Sequence, residues 1–265
     1  MLIVGERINT SRKKVDEAVG ARDAAYIQND VKAQVAAGAH YIDVNAGSRL
    51  GSELSDVLWL IEIVQEAADV PLAVDSPSPE VLMKAMERVR HRPMINSTTA
   101  EKERFEKMRP VISSRECDIV ALCMDDRGMP RDAAQVLENA RRLVADLEAM
   151  GIARDRIYLD PLIQPISTDV RMGMVALEAI ARIHEELPGV HTICGLSNIS
   201  FGLPERHLIN RNFLALAMGA GLSAAILDPL DDKLMTTLIT TRALLGQDEY
   251  CMNYIRASRE GKLIP

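Results

Sequence analysis

The sequence predicts an α/β protein of the (β/α)8 TIM-barrel type, formed by a single domain over residues 1–265. Three observations carry this. Eight short apolar, β-branched runs are each followed by sequence with helical spacing. The first run opens into GERINTS rather than a glycine-rich GxGxxG turn, and no reversal of strand order points to a doubly wound sheet. Finally, the strand ends are polar in one recurring way: DVNAG, VDS, INS, LDP and HTICGLSNIS all pass from buried strand to small or acidic residues. That is where a barrel of this kind carries its chemistry.

In chain order, residues 2–8 form the first strand, interrupted by Gly5-Glu6-Arg7. Residues 24–37 carry Ile27, Val31 and Val35 at helical spacing and stop at Gly38, a C-cap signal. YIDVNAG is the second strand, with Asp43 and Asn45 on one face because strand side chains alternate. Residues 52–68 are helical, with Leu54, Val57, Leu58, Ile61 and Val64 on one stripe. Residues 70–76 form the third strand. Ser78-Pro79 then reads as a cap and first turn for a helix running through Arg90.

Residues 93–97 form the fourth strand, and Thr98 with Glu101 has capping-box spacing for the next helix. DIVALCM is the fifth strand, closed by a turn at Asp125-Asp126-Arg127-Gly128. A long helix over 131–150 ends at Gly151. The sixth strand is 157–162, its helix 168–187, and HTICGLSNIS the seventh strand. Residues 208–220 are helical, 224–230 form the eighth strand, and 231–245 its helix. The tail from Gln247 onward is expected across the barrel bottom or at a subunit contact. No linker or low-complexity segment divides the chain.

Composition excludes several function classes. Aromatic residues are only 3% and net charge is −7, with no basic block, so both the stacking platforms and the electrostatic footprint for nucleic acid are missing. No apolar run reaches the ~18 residues of a membrane span. MLIVGERINTSRKK places its charges after a short apolar run and reads as a strand rather than a signal peptide. The 4 cysteines make no CxxC or paired framework, so a cytoplasmic location is expected. The 5 histidines make no ligand spacing, and a protein-bound metal is not expected.

On the barrel top the strand ends bring together Glu6, Asp43, Asn45, Asp75, Asn96, Asp160, Asn198 and Asp228. Two readings stand for Glu6, an exposed rim carboxylate or one buried for a purpose. Two also stand for Asp43 and Asp228, which could equally cap the helices that follow. Capping covers Asp75, Asn96 and Asp160 poorly, because other residues behind each can cap. Carboxylates and carboxamides among aliphatic walls suit a flat heterocycle rich in N–H groups, since a carboxylate accepts two parallel bonds from an amidine-like edge. A pterin presents that edge. The same carboxylates could hold a divalent cation, but no histidine joins them. The serines near the strand ends have no adjacent histidine and no GxSxG, so nucleophilic catalysis is not supported. Arg206 is the basic residue close behind the seventh strand.

MLIVGERIN, AVDS, MINST, YLDPLI, GLSNIS and LINRNFLALAMGAG occur in that order on separate elements. Together they resemble the pterin-binding methyltransferases over essentially the whole chain. The branch they resemble uses methyltetrahydrofolate with a corrinoid protein; it includes the methyltransferase acting on corrinoid/iron–sulfur protein and the folate module of methionine synthase.

The resemblance implies that Asp75, Asn96 and Asp160 hold the aminopyrimidinone edge, with Gly195 and Ser197 lining the ring plane. Glu6, Asp43 and Asn45 belong to the same pterin-binding set. Asn198 would reach N5, the nitrogen carrying the methyl group, and act as the catalytic residue, while Arg206 would contribute on the folate side. Relatives carry Gln where this chain has Phe201, a departure that bears on the folate tail. The implied reaction moves methyl between N5 of (5-methyl)tetrahydrofolate and the cobalt of a corrinoid, as in one-carbon or demethylation metabolism of anaerobes. No DxHxxG cobalamin motif occurs, so the corrinoid (cobalamin) rides on a separate partner protein. A homodimer is expected from the family. The alternatives are a dihydropteroate synthase-like transferase, whose Ser-Thr-Arg-Pro loop is here NAGSRLG, and a non-catalytic folate-binding subunit.

Overall fold

A computed structural model describes residues 1–264; in it eight parallel strands form one sheet surrounded, among the described residues, by ten α-helices. The strands are β1 (Leu2–Asn9), β2 (Tyr41–Asn45), β3 (Leu72–Asp75), β4 (Met94–Thr99), β5 (Asp118–Leu122), β6 (Ile157–Asp160), β7 (His191–Thr192) and β8 (Ala224–Leu227). The helices are α1 (Lys13–Ala21), α2 (Ala24–Ala36), α3 (Glu53–Ala67), α4 (Pro79–Met86), α5 (Lys102–Ser113), α6 (Ala133–Ala149), α7 (Met172–Glu186), α8 (Arg206–Gly219), α9 (Asp232–Leu244) and α10 (Met252–Arg259).

Neighbouring strands follow chain order from β1 to β7, and β8 pairs back onto β1. Three links close the remaining gap between β7 and β8. They are a Gly195–Ile226 bridge, Ile226 N–H donating to Cys194 O at 2.9 Å, and Thr192 N–H donating to Ser223 Oγ at 3.0 Å. The expected barrel forms.

Its interior is layered, and the layering positions the site. Val4, Tyr41, Ala73, Met94, Val120, Tyr158, Ile193 and Ala224, one from each strand or its extension, make a single buried cluster inside the barrel. Strand side chains alternate, so the next inward position on each strand lies two residues on. Those positions are Glu6, Asp43, Asp75, Asn96, Leu122, Asp160, Gly195 and Ile226. An apolar plug is therefore overlaid by a mostly polar ring. Outside the barrel, two further apolar clusters bury the inner faces of the helices, one centred on α1–α6 and one on α7–α9. Asp23, Ser78, Asp132 and Asp231 cap α2, α4, α6 and α9, each accepting from a backbone N–H three residues on.

Four local expectations are corrected. Residues 9–23 lie outside every element that the spacing predicts, yet α1 forms there, burying Val15, Ala18 and Val19 at helical spacing. Thr98 caps nothing: β4 runs on to Thr99, and α5 starts at Lys102 behind Glu101, whose N–H donates to Thr99 Oγ1 at 3.2 Å. The seventh strand stops at Thr192, and Leu196–Ser200 is a 3-10 turn. The tail does not cross the barrel bottom. It runs beside α9 to a groove between α2 and α9, where Ile264 N–H donates to Thr236 Oγ1 at 2.8 Å.

Candidate functional site

The polar ring opens at the C-terminal ends of the strands into a cavity of about 510 Å3. Of the residues singled out in the sequence, Glu6, Asp43, Asp75, Asn96, Asp160, Gly195, Ser197, Asn198 and Arg206 line it. Asn45 stands one step behind, its Nδ2 donating to Asp75 Oδ2 at 2.6 Å. Asp228 is not in the wall. It accepts from Arg7 Nη1 at 2.7 Å and from its own turn at Leu230 N–H, and α9 is capped by Asp231 instead. The capping alternative also fails for Asp43, which is 2% exposed and accepts from Asn96 Nδ2 at 3.3 Å. Four lining residues were not singled out: Asn9, Ser11, Arg12 and Ile226. Asn9 and Ile226 carried a usable signal. Asn9 is one more polar strand end, and Ile226 is two residues beyond the interior Ala224.

Three polar groups of the floor, Asp75, Asp160 and Asn96, are half-engaged by protein, which orients each and leaves the other half for a ligand. Asp75 receives Asn45 on Oδ2, so Oδ1 is left. Asp160 receives Leu162 N–H on Oδ1 at 2.7 Å, an Asx-type turn onto its own chain, so Oδ2 is left. Asn96 Nδ2 donates to Asp43, so the side-chain Oδ1 of Asn96 is left. These acceptors converge from β3, β4 and β6.

The electrostatics follow from burial. Asp160 is 8% exposed, and burial pushes its carboxyl up to about 7 against the opposing Leu162 hydrogen bond. Glu6 is also raised to about 7, by burial first and then by the charge of Asp228, while Arg12, Arg206 and Arg7 pull it down. Burial and the neighbouring Asp75 raise Asp43 well above the ordinary range. Burial raises Asp75, with the Asn45 bond opposing. An acidic floor so poor in internal cations is stabilised by a ligand that brings N–H donors or positive charge. Glu6 and Asp160 can each hold or release a proton near neutrality. No group of three His, Cys, Asp or Glu among the described residues is arranged to hold a metal ion.

The side wall is the turn after β7. Asn198 N–H donates to Gly195 O at 3.3 Å, and its carbonyl accepts from Phe201 N–H at 3.1 Å. Arg206 stitches the same turn from α8, with Nε on Ser200 Oγ at 3.1 Å and Nη2 on Ser197 O at 2.7 Å. Its guanidinium lies 5.7 Å from the Phe201 ring centre. The Asn198 carboxamide makes no hydrogen bond to protein among the described residues and stands against Gly195, where a Cβ would come within 3.1 Å of Nδ2. The backbone of this turn is fixed while its one free amide faces the cavity.

Over its full length the chain is 35% identical to methylcorrinoid:tetrahydrofolate methyltransferase of Eubacterium limosum, an alignment covering 98% of that protein. It is 32% identical to methionine synthase of Mycobacterium tuberculosis over 239 residues, which are 85% of this chain and 20% of that enzyme. Two solved structures share the fold at low identity. Dihydropteroate synthase of Xanthomonas albilineans with 4-aminobenzoic acid superposes with a TM-score of 0.68 at 18% identity, covering 93% of both chains. Dihydropteroate synthase of Yersinia pestis gives 0.65 at 16% identity, covering 94% of this chain and 93% of that one. The family model for pterin binding enzymes matches residues 5–228, spanning every element that lines the cavity, and the chain belongs to that family.

Proposed function

We propose that this protein is a methyltransferase moving a methyl group between N5 of tetrahydrofolate and the cobalt of a corrinoid carried on a separate protein. The observation that carries the reading is the convergence of half-engaged Asp75, Asn96 and Asp160 on a floor flanked by the free carboxamide of Asn198. The full-length similarity to a methylcorrinoid:tetrahydrofolate methyltransferase supports the same choice.

In this reading Asp75 and Asp160 accept the N–H groups of the aminopyrimidinone edge, and Asn45 holds the Asp75 carboxylate in register. Gly195 and Ser197 border the ring plane. Asn198 hydrogen-bonds N5. A tertiary amine releases methyl only as the charge at nitrogen changes, so a donor or acceptor already oriented there lowers the barrier without titrating itself. The proton arrives through water. The cavity opens at the strand ends, where the corrinoid partner docks.

A homodimer is part of the proposal. Val170, Met174, Leu208 and Leu216 expose large apolar surface together around α7 and α8, the kind of patch that a second copy covers. Light scattering reporting a particle of about 29 kDa at micromolar concentration would count against it.

The test of function is single-turnover methyl transfer from methyltetrahydrofolate to free cob(I)alamin. Tight folate binding without transfer would leave a folate-binding subunit. Condensation of a pterin diphosphate with 4-aminobenzoate would instead favour the synthase activity.

A further inference from the structure

The cavity has a polarity from floor to rim. Its floor is carboxyl groups from β2, β3 and β6; its rim carries two guanidinium groups, Arg206 behind β7 and Arg12 behind β1. The two cations are differently committed. Arg206 spends Nε and Nη2 on Ser200 and Ser197 and holds the wall together. Arg12 makes a single side-chain bond among the described residues, from Nη1 to Asp228 Oδ2 at 3.4 Å. That oxygen already receives Arg7 at 2.7 Å, so Arg12 comes second there. Most of its five N–H donors are unspent, and its side chain is 39% exposed.

The segment bearing Arg12 is nevertheless rigid. Thr10 N–H donates to Asn45 O at 3.0 Å and Arg12 N–H to Asn9 O at 3.0 Å. Ser11 N–H donates to Asn9 Oδ1 at 2.9 Å, and Ser48 Oγ bonds Thr10 Oγ1 at 2.6 Å. The backbone that carries the cation is held in place at the rim while its donors remain available.

Position says what those donors meet. In the cyclic strand order, β8 and β1 lie across the barrel from β4 and β5. A pterin held by its aminopyrimidinone edge on β3, β4 and β6 directs its opposite end, which bears the C6 substituent, toward β7, β8 and β1. In a folate that substituent ends in glutamate carboxylates. We propose that Arg12 receives a glutamate carboxylate of the folate tail and makes the site select folates over pterins that lack one. This rests on the folate reading above and adds to it a residue that sets specificity at the rim.

The test compares two ligands, 5-methyltetrahydrofolate and 5,6-dimethyltetrahydropterin, which keeps the N5 methyl and the ring but has no tail. Their Kd values are measured by titration calorimetry for the full chain, Arg12→Gln and Arg12→Lys, with circular dichroism as the folding check. The unmodified protein should bind the folate about tenfold more tightly than the tail-less pterin, the scale of one hydrogen bond to a charged group. Arg12→Gln should lose most of that preference while its pterin Kd stays within about twofold, and Arg12→Lys should fall between. Raising salt should weaken folate binding in the unmodified protein more than in Arg12→Gln. Equal weakening of both ligands by Arg12→Gln, or no change in either, overturns the role of Arg12 and leaves the folate reading standing. Failure of the unmodified protein to bind either ligand overturns both.

Discussion

Replacing Gly195 with alanine tests the mechanism at a residue that borders the ring plane in the proposed site but offers the substrate no side-chain bond. The backbone at Gly195 has φ −71 and ψ 98, a conformation alanine adopts, so the fold loses nothing locally. The added Cβ would stand 3.1 Å from Asn198 Nδ2, closer than carbon and nitrogen normally pack, and at ordinary contact, 3.7 Å, from its Cγ. The carboxamide retreats by a few tenths of an ångström. Misplacing a catalytic group by about 1 Å costs about 10²-fold, so this smaller shift should slow methyl transfer by about tenfold. Removing the amide outright, in Asn198→Ala, should cost about 10²–10³-fold in rate but only about tenfold in folate affinity, because the interaction strengthens as the bond to methyl breaks.

The double variant supplies the decisive arm, since in the Asn198→Ala background the Cβ has no carboxamide to displace. At saturating folate Gly195→Ala should then change the rate less than about twofold, while any contact of the Cβ with the ring that Gly195 borders shows separately as a weaker folate Kd. The assay is single-turnover transfer to cob(I)alamin at saturating methyltetrahydrofolate. Chemical denaturation run alongside should show stability within about 1 kcal/mol of the unmodified protein. If Gly195→Ala slows transfer equally with and without Asn198, the methyl group acts by another route. If Asn198→Ala keeps the full rate at saturation, Asn198 is a binding residue and the mechanism is wrong.

Further outcomes follow from the floor. Asp75→Ala should weaken folate binding by about 1.5–3 kcal/mol, and Asn45→Ala by about 1 kcal/mol through loss of the carboxylate's support, both read by calorimetry; unchanged affinity in a folded Asp75→Ala would remove its anchoring role. Asp160→Asn should separate binding from stability. The folded carboxyl, raised to about 7, keeps a proton that an unfolded aspartate releases near pH 4, so unfolding releases protons between those values and stability falls as pH rises across them. Asp160→Asn has no proton to lose there. It should match the unmodified protein near pH 4.5, exceed it at pH 7.5 by up to about 4 kcal/mol in urea melts, and lose folate affinity. A variant less stable at both pH values would show that the carboxylate is needed for the fold.

Period-two alternation made much of the site legible. Asp43, Asp75, Asn96 and Asp160 each stand two residues beyond an interior apolar residue, and the sequence shows that spacing directly. The rest depended on contacts far apart in the chain. Asp228 could not be resolved from sequence because its partner, Arg7, lies 221 residues away. Arg12 lies just past the first strand, in a stretch where the spacing predicts no element, and nothing local shows that it reaches the cavity rim. The capping box at Thr98 failed because β4 holds one extra residue at Ser97, where its register with β5 shifts, and keeps Thr98 in the sheet. The short β7 was hidden by CGL, which is apolar enough to read as strand but is placed by a bridge rather than a ladder.

That short strand gives the barrel a seam. Elsewhere adjacent strands are joined by runs of paired residues, whereas β7 and β8 meet through Ser223 at one end and the Cys194–Ile226 bond at the other. Backbone ladders resist shear, so the β7–β8 line has the fewest rungs in the cylinder, and the turn bearing Asn198 is held beside it by Arg206 and its own backbone bonds, while the opposite wall bearing Asp75 and Asn96 is laddered on both sides. Local opening is cheapest along such a line, and deuterium exchange should enter the sheet there first. In the proposed reaction, the fully laddered side of the barrel would hold the ring, and the seam would lie next to the bond that changes.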